Sequence, residues 1–162
     1  MKLVNLTYLV VACGQTVSAF DLSSANGTLV YSVSTLQSIT AMELLRDDVV
    51  ALGLITSTLE KWQLSDRRLL ARMELPSLAS VSSLKLVNLN GQYMLAVGLH
   101  TSASVLIVNI TTWQSMSTIK VTSDSSIGIL CMELVRNNSV LVVTSSDGFL
   151  TLWKYAFNLD DV

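Results

Sequence analysis

Short runs of β-branched and aliphatic residues recur along the chain, each closed by Gly, Asn, Asp or Ser. Examples are "TLVYSVS" at Thr28–Ser34, "DVVALGLI" at Asp48–Ile55, "YMLAVGL" at Tyr93–Leu99, "ASVLIVNI" at Ala103–Ile110, "SVLVVTS" at Ser139–Ser145 and "GFLTLWKYAF" at Gly148–Phe157. Runs of this length and composition, bounded by turn formers, predict strands. No long stretch carries a helical period with caps. No apolar run reaches the roughly 18 residues that a membrane-spanning helix needs. The chain predicts an all-β fold.

The runs are also periodic. "KLVNL" occurs at Lys2–Leu6 and again at Lys85–Leu89, and "MELLRDDVVALG" at Met42–Gly53 is echoed by "MELVRNNSVLVV" at Met132–Val143. The four segments begin near Met1, Met42, Leu84 and Met132, at steps of 41, 42 and 48 residues. A period of about 40–45 residues with several short strands in each unit predicts β-propeller blades. The unit reads strand by strand. An inner strand comes first ("ITAMELL", "VSSLKLV", "GILCMELV"). A very apolar second strand follows ("YLVVACG", "VVALGLI", "YMLAVGL", "VLVVTSS"). The third strand is "TVSAFDLS", "TLEKWQLS", "SVLIVNIT" and "FLTLWKYA", with a bulky residue near its end at Phe20, Trp62, Val108 and Trp153. The fourth is "TLVYSVS", "LLARMEL" and "SMSTIKV". Second strands that are apolar on both sides need covered faces, and stacked neighbours supply the cover. The expected domain is one partial propeller of about four blades of four antiparallel strands. The blades fall near residues 1–33, 34–75, 76–122 and 123–157, with a tail at 158–162.

At the third-strand ends the chain resembles the WD-repeat family of β-propellers. The positions of the family's Trp-Asp dipeptide read Phe20-Asp21, Trp62-Gln63, Val108-Asn109 and Trp153-Lys154. The last unit is the best match. Its Ser145-Ser146-Asp147-Gly148 turn, followed by Leu152-Trp153, is similar to the family's tight turn between second and third strands. The family's Gly-His pair before the first strand has no counterpart here. The resemblance implies a scaffold whose loops bind other proteins.

Composition narrows the classes. Hydrophobic residues are 51% and charged residues 14%, well under the usual charged share of about 25%. The net charge is −2, with no basic run, so nothing points to nucleic acid. The first twenty residues also fit an export signal: Lys2 as the charged region, Leu3–Cys13 as the apolar one, and Val10–Cys13 or Val17–Ala19 as cleavage boxes. Asn5, Thr7 and Tyr8 interrupt that apolar region, and the same letters recur at Lys85. A strand explains both copies. Cys13 and Cys131 lie in apolar strand contexts and are expected to be buried free thiols. Sequons begin at Asn5, Asn26, Asn109 and Asn137 and matter only in an exported chain. The expected location is intracellular, without membrane insertion. An exported lipoprotein or adhesin is the alternative.

Catalytic chemistry finds little support. The single histidine, His100, has no nearby nucleophile or paired carboxylate in the sequence. There is no Cys-x-x-Cys or other metal-ligand spacing, and no phosphate-cradling glycine loop. Asp47-Asp48 falls in a predicted turn and Asp160-Asp161 in the tail, where solvated charge suffices. The chain is therefore expected to be no enzyme and to hold no cofactor or metal. A non-catalytic subunit supporting a partner enzyme is the nearest alternative function.

Surface positions carry the binding expectation. Asp66-Arg67-Arg68 is the densest basic spot and sits at a predicted hairpin tip. Trp113 breaks the repeat pattern in "TTWQS", where a turn-capping hydrophobe is the expected role and an exposed Trp anchoring an interface is the alternative. Loops between second and third strands and between units are expected on one face: His100–Ser102, Ser145–Gly148, Leu75–Ser80 and Thr122–Ser126. The partner-binding candidates are His100, Ser102, Asp124, Asp147, Trp113, Arg67 and Arg68. Four units are fewer than the seven or eight of a typical ring. A second copy, another chain or a longer version of this chain is expected to cover the open sheet faces.

Overall fold

A computed structural model describes residues 2–4, 8–23, 26–46, 48–76, 79–89, 91–124, 126–135 and 140–154. The described residues form an all-β fold without helices, in four antiparallel sheets. The first sheet is β1 (Lys2–Val4), β2 (Tyr8–Cys13), β3 (Thr16–Asp21) and β4 (Thr28–Ser34). The second is β5 (Ile39–Arg46), β6 (Val49–Leu54), β7 (Thr58–Gln63) and β8 (Arg68–Glu74). The third is β9 (Val81–Leu89), β10 (Gln92–Leu99), β11 (Ser104–Asn109) and β12 (Gln114–Lys120). The fourth is β13 (Ile129–Val135), β14 (Val140–Ser145) and β15 (Leu150–Lys154). Strand order within each sheet follows the sequence. Each strand expected from the sequence is present in its expected order. Both copies of "KLV" fall in the first strand of a sheet, as do both copies of "MEL". Asp47, the 160–161 acidic pair, the sequon positions Asn5 and Asn137 and the tail 158–162 lie outside the described residues.

The repetition extends to irregularities. The ladder between third and fourth strands slips at Ala19/Phe20, Lys61/Trp62 and Ile107/Val108, each time just before the recurrent bulky position. The inner ladder slips at Ile39/Ala41 and again at Ile129/Cys131. The residue after the fourth strand returns to the turn before the third: Thr35 N–H donates to Gln15 O at 2.8 Å, Leu75 to Ser57 O at 2.8 Å and Val121 to Ala103 O at 2.7 Å. Bulges recur in register only where the same twist is needed in each sheet.

The chain divides into two compact units, Met1–Val81 and Ser82–Val162. In the first, Val10, Val17, Ala19 and Val33 of one sheet pack against Val50, Leu52, Leu54 and Leu64 of the next, with Trp62 partly buried beside them. In the second, Met94, Ala96, Val105 and Ile107 pack against Ile129, Met132, Leu141 and Val143, with Trp153 beside them. Burying each such side chain is worth roughly 1.5–3 kcal/mol. β6 is buried at all of its positions, which accounts for the unbroken apolar letters of "VVALGL". The last strand of the third sheet, β12, is mostly polar and is exposed at all but one position, which suits a sheet edge facing water.

Two features differ from the sequence reading. Cys13 and Cys131 are free but exposed, not buried. Cys13 ends β2 beside a tight turn, and Cys131 lies on the face of β13 turned away from Ile129 and Met132. Trp62 is core-packed as expected, and its indole also has a polar role. Its Nε1–H donates to Glu60 Oε2 at 2.7 Å. Glu60 is 3% exposed, and Arg72 stands 3.9 Å from its other oxygen while also binding Glu74. Burying a carboxylate requires such donors, so this tryptophan position solves a polar problem as well as an apolar one.

Candidate functional site

The candidate site is the loop end of the second unit. Three connections meet there: His100–Ala103 between β10 and β11, Val121–Gly128 between β12 and β13, and Ser146–Phe149 between β14 and β15. Val121 N–H holds the second connection to the first through Ala103 O. Gly128 N–H donates to Ser146 Oγ at 3.0 Å, and Ser146 N–H returns to Gly128 O at 2.9 Å. The Gly128 backbone also lies directly against the His100 carbonyl, with no space for a side chain between them. His100, Asp124 and Asp147 are exposed at this end and Ser102 is half-buried. The structure thus brings four of the expected site residues to one end of one unit.

The two acids are held by their own loops. Asp147 Oδ1 accepts from Ser145 Oγ at 2.5 Å and from Phe149 N–H at 3.2 Å, while Gly148 N–H closes the turn on Ser145 O at 3.0 Å. This is the tight turn expected from "SSDG", with the aspartate as its internal brace. Asp124 Oδ1 accepts from Ser126 Oγ at 2.7 Å and from Ser126 N–H at 2.9 Å. The Ser126 hydroxyl and then its N–H hold the Asp124 carboxyl below the usual carboxylate range. The sign follows from stabilising the ionised form: the loop gains this stabilisation above the ordinary carboxylate pKa and loses it as pH falls through the lowered value. A carboxyl-carbon NMR titration is expected to show Asp124 titrating below the exposed-aspartate norm, and S126A is expected to return it toward that norm. An Asp124 that titrates normally in the unaltered chain would rule the brace out.

The remaining candidates sit elsewhere. Arg67 and Arg68 follow β7, and Trp113 follows β11, so each lies at the strand end opposite to the β6–β7 or β10–β11 turn. Arg67 and Trp113 occupy the same position of their turns, with φ of 54° and 55°. Each turn is closed by a backbone bond, Arg67 N–H to Leu64 O at 3.2 Å and Trp113 N–H to Asn109 O at 2.9 Å. Asn109 Oδ1 further caps Thr111 and Thr112 N–H at 2.8 and 3.1 Å. The first sheet does the same with Asp21, whose Oδ1 accepts from Ser23 N–H at 2.8 Å. The acidic or amide residue after the bulky position is thus a turn cap. In the second sheet Asp48 reaches across to Ser65 Oγ at 2.7 Å and Gln63 Nε2 at 2.9 Å.

Trp113 is 7% exposed, a turn-capping hydrophobe rather than an exposed anchor. The capped turn folds it back into the protein. Arg67 and Arg68 are exposed as expected, but Asp66 shares their tip and Asp48 is bonded to its Ser65. The Leu75–Ser80 loop is also less available than expected, because Leu75 and Ala79 are buried. Among the described residues no three His, Cys, Asp or Glu side chains gather as a metal site, and no helix is long and apolar enough to cross a membrane.

The sequence reading missed apolar residues at the loop ends. Phe149 is 71% exposed beside Asp147, and in the first unit Leu36 is 82% and Ile55 54% exposed. Ile55 N–H is tied to Ser38 O at 3.0 Å, the equivalent of the Ser146–Gly128 bond. Their signal was a large apolar letter inside a turn ("STLQS", "LITST", "SDGFL").

No protein-family model matches the chain, and comparison with curated proteins finds no significant similarity. Among solved structures, the fold is similar to the crystal structure of the computationally designed Ika4 protein, with a TM-score of 0.71 at 16% identity, covering 93% of this chain and 86% of that one.

Proposed function

We propose that the chain is a run of WD-repeat-type propeller blades acting as a non-enzymatic scaffold, which holds other proteins through the loop ends of its sheets. The observation that carries this reading is the exposure of large apolar side chains at those ends. Phe149 lies beside the His100 and Asp147 loops in one unit, and Leu36 and Ile55 lie in linked loops of the other. Exposed apolar groups with charged neighbours on rigid turns suit protein partners. The matched bulges, turn caps and cross-turn bonds of successive sheets support the blade reading. An intracellular location fits the use of Tyr8–Cys13 as a full strand, laddered to β3 along its length. Support of a partner enzyme is one form that this scaffold role takes.

The test is affinity capture from cells, comparing the unaltered chain with an H100A/F149D double variant of matched circular dichroism. Loss of the captured partners in the variant is the expected result. Unchanged recovery of every partner by the folded variant would sink the loop-end reading.

A further inference from the structure

The fourth sheet has one packed face and one open face. Thr151 and Trp153 lie opposite Val143 and Leu141, on the face packed in the second unit's core. Leu150 and Leu152 alternate to the other side, opposite Thr144 and Val142, and are 59% and 62% exposed. In the first and third sheets the matching positions are core. Val17 and Ala19, opposite Ala12 and Val10, are buried in the first unit. Val105 and Ile107, opposite Gly98 and Ala96, are buried in the second. The open face of the fourth sheet therefore has the residue pattern of a packing face that lacks its neighbour.

The first sheet has the complementary surplus. Its Leu9, paired with Phe20, and Val11, paired with Ser18, point away from the core that Val10, Val17 and Ala19 form. Leu9 and Phe20 match the Val50–Trp62 pair of the second sheet and the Leu141–Trp153 pair of the fourth. Those two pairs are the ones seated on a preceding sheet within each unit.

We propose that the open face of the fourth sheet, built on Val142, Leu150 and Leu152, binds the Leu9–Val11–Phe20 face of the first sheet of a second copy of this chain. The proposal rests on the blade reading above and names one partner for it. The contact is head-to-tail, since the two faces differ. The interaction is driven by the same aliphatic burial that joins neighbouring sheets inside the chain.

The test is light scattering on the full chain during size exclusion at micromolar concentration. The expected mass is at least twice 17.6 kDa. A fourth-sheet variant, L150E/L152E, and a first-sheet variant, V11E, are each expected to run at the single-chain mass. Mixed together they are expected to form a one-to-one pair, because each keeps the face the other lacks. A monomeric unaltered chain, a mixture that fails to pair while both variants fold, or a dimer that survives L150E/L152E would overturn the proposal. The exposed thiols give a readout without substitution. Cys13 ends β2 on the first face and Cys131 lies opposite Thr144 on the other. Both are expected to react more slowly with a bulky maleimide as protein concentration rises, and concentration-independent labelling of both would also overturn it. A monomer whose partner capture is still lost in H100A/F149D would leave the scaffold reading intact while ending this one.

Discussion

Gly128→Ala is expected to destabilise the protein by on the order of 4 kcal/mol, at the upper end of single substitutions. The cause is a steric conflict between two stretches of backbone. A Cβ on residue 128 would occupy the space of the His100 carbonyl, and neither segment has an easy retreat. Gly128 is fixed from both sides by its two bonds with Ser146, and the next residue, Ile129, is wholly buried. His100 follows directly on β10, whose last six residues are all buried. Relief would require moving the loop end as a whole, so its turns are expected to loosen with it. Gly14→Ala is the matched control. A Cβ there meets nothing within 4 Å, although φ is +57°, so only the left-handed backbone penalty of about 1 kcal/mol applies. Thermal or urea unfolding of the two variants gives the comparison. Equal losses in both would mean that the close approach at His100 is not as described.

Gly98→Ala and Ile129→Ala are expected to be costly alone and partly to cancel together. A Cβ on Gly98 would stand 2.8 Å from Ile129 Cγ2 and 3.3 Å from its Cβ, which is overpacking worth about 1–3 kcal/mol. Ile129 is 0% exposed, so its truncation leaves a cavity and costs about 2–5 kcal/mol. In the double variant the added methyl enters the space vacated by Cγ2. The combined loss is therefore expected to fall short of the sum by about 1 kcal/mol or more, within the range of coupled neighbours. Strict additivity in a double-mutant cycle would exclude the direct contact. The result also bears on the sheet pairing, because this contact is where β10 meets β13.

Much of the fold was legible because the physical pattern is local. "VVALGL" has apolar letters on both faces, and only a strand covered on both sides needs that. The repeated "KLV" and "MEL" marked the inner strands, since equal environments in successive sheets select equal residues. The turn chemistry was legible at Asp147, where a short acid braces a tight turn. What stayed hidden depends on what lies across from a residue. Cys131 sits in an apolar run, yet its side of β13 faces away from the core. Trp113 looks like a loop residue, but a left-handed backbone and an Asn109 cap fold it inward. Glu60 reads as a surface charge until Trp62 and Arg72 are seen to converge on it. Gly128 is one glycine among seven in the chain, and only the approach of His100 singles it out.

The order of strands within each sheet bears on how the chain finds its structure. Among the described residues every ladder joins strands that are consecutive in sequence. No sheet waits for a distant segment to arrive, so the entropy of closing long loops is avoided at this stage. That lowers contact order and favours rapid local assembly compared with other all-β topologies, where non-local pairing sets the rate. Each sheet is then a natural cooperative element, joined to its neighbour through side chains, as at Gly98 and Ile129, with few bonds between them. Such a chain can gain or lose a sheet by duplication or deletion without rewiring those that remain. The Met-Glu-Leu shared by β5 and β13 is the kind of trace that such growth would leave.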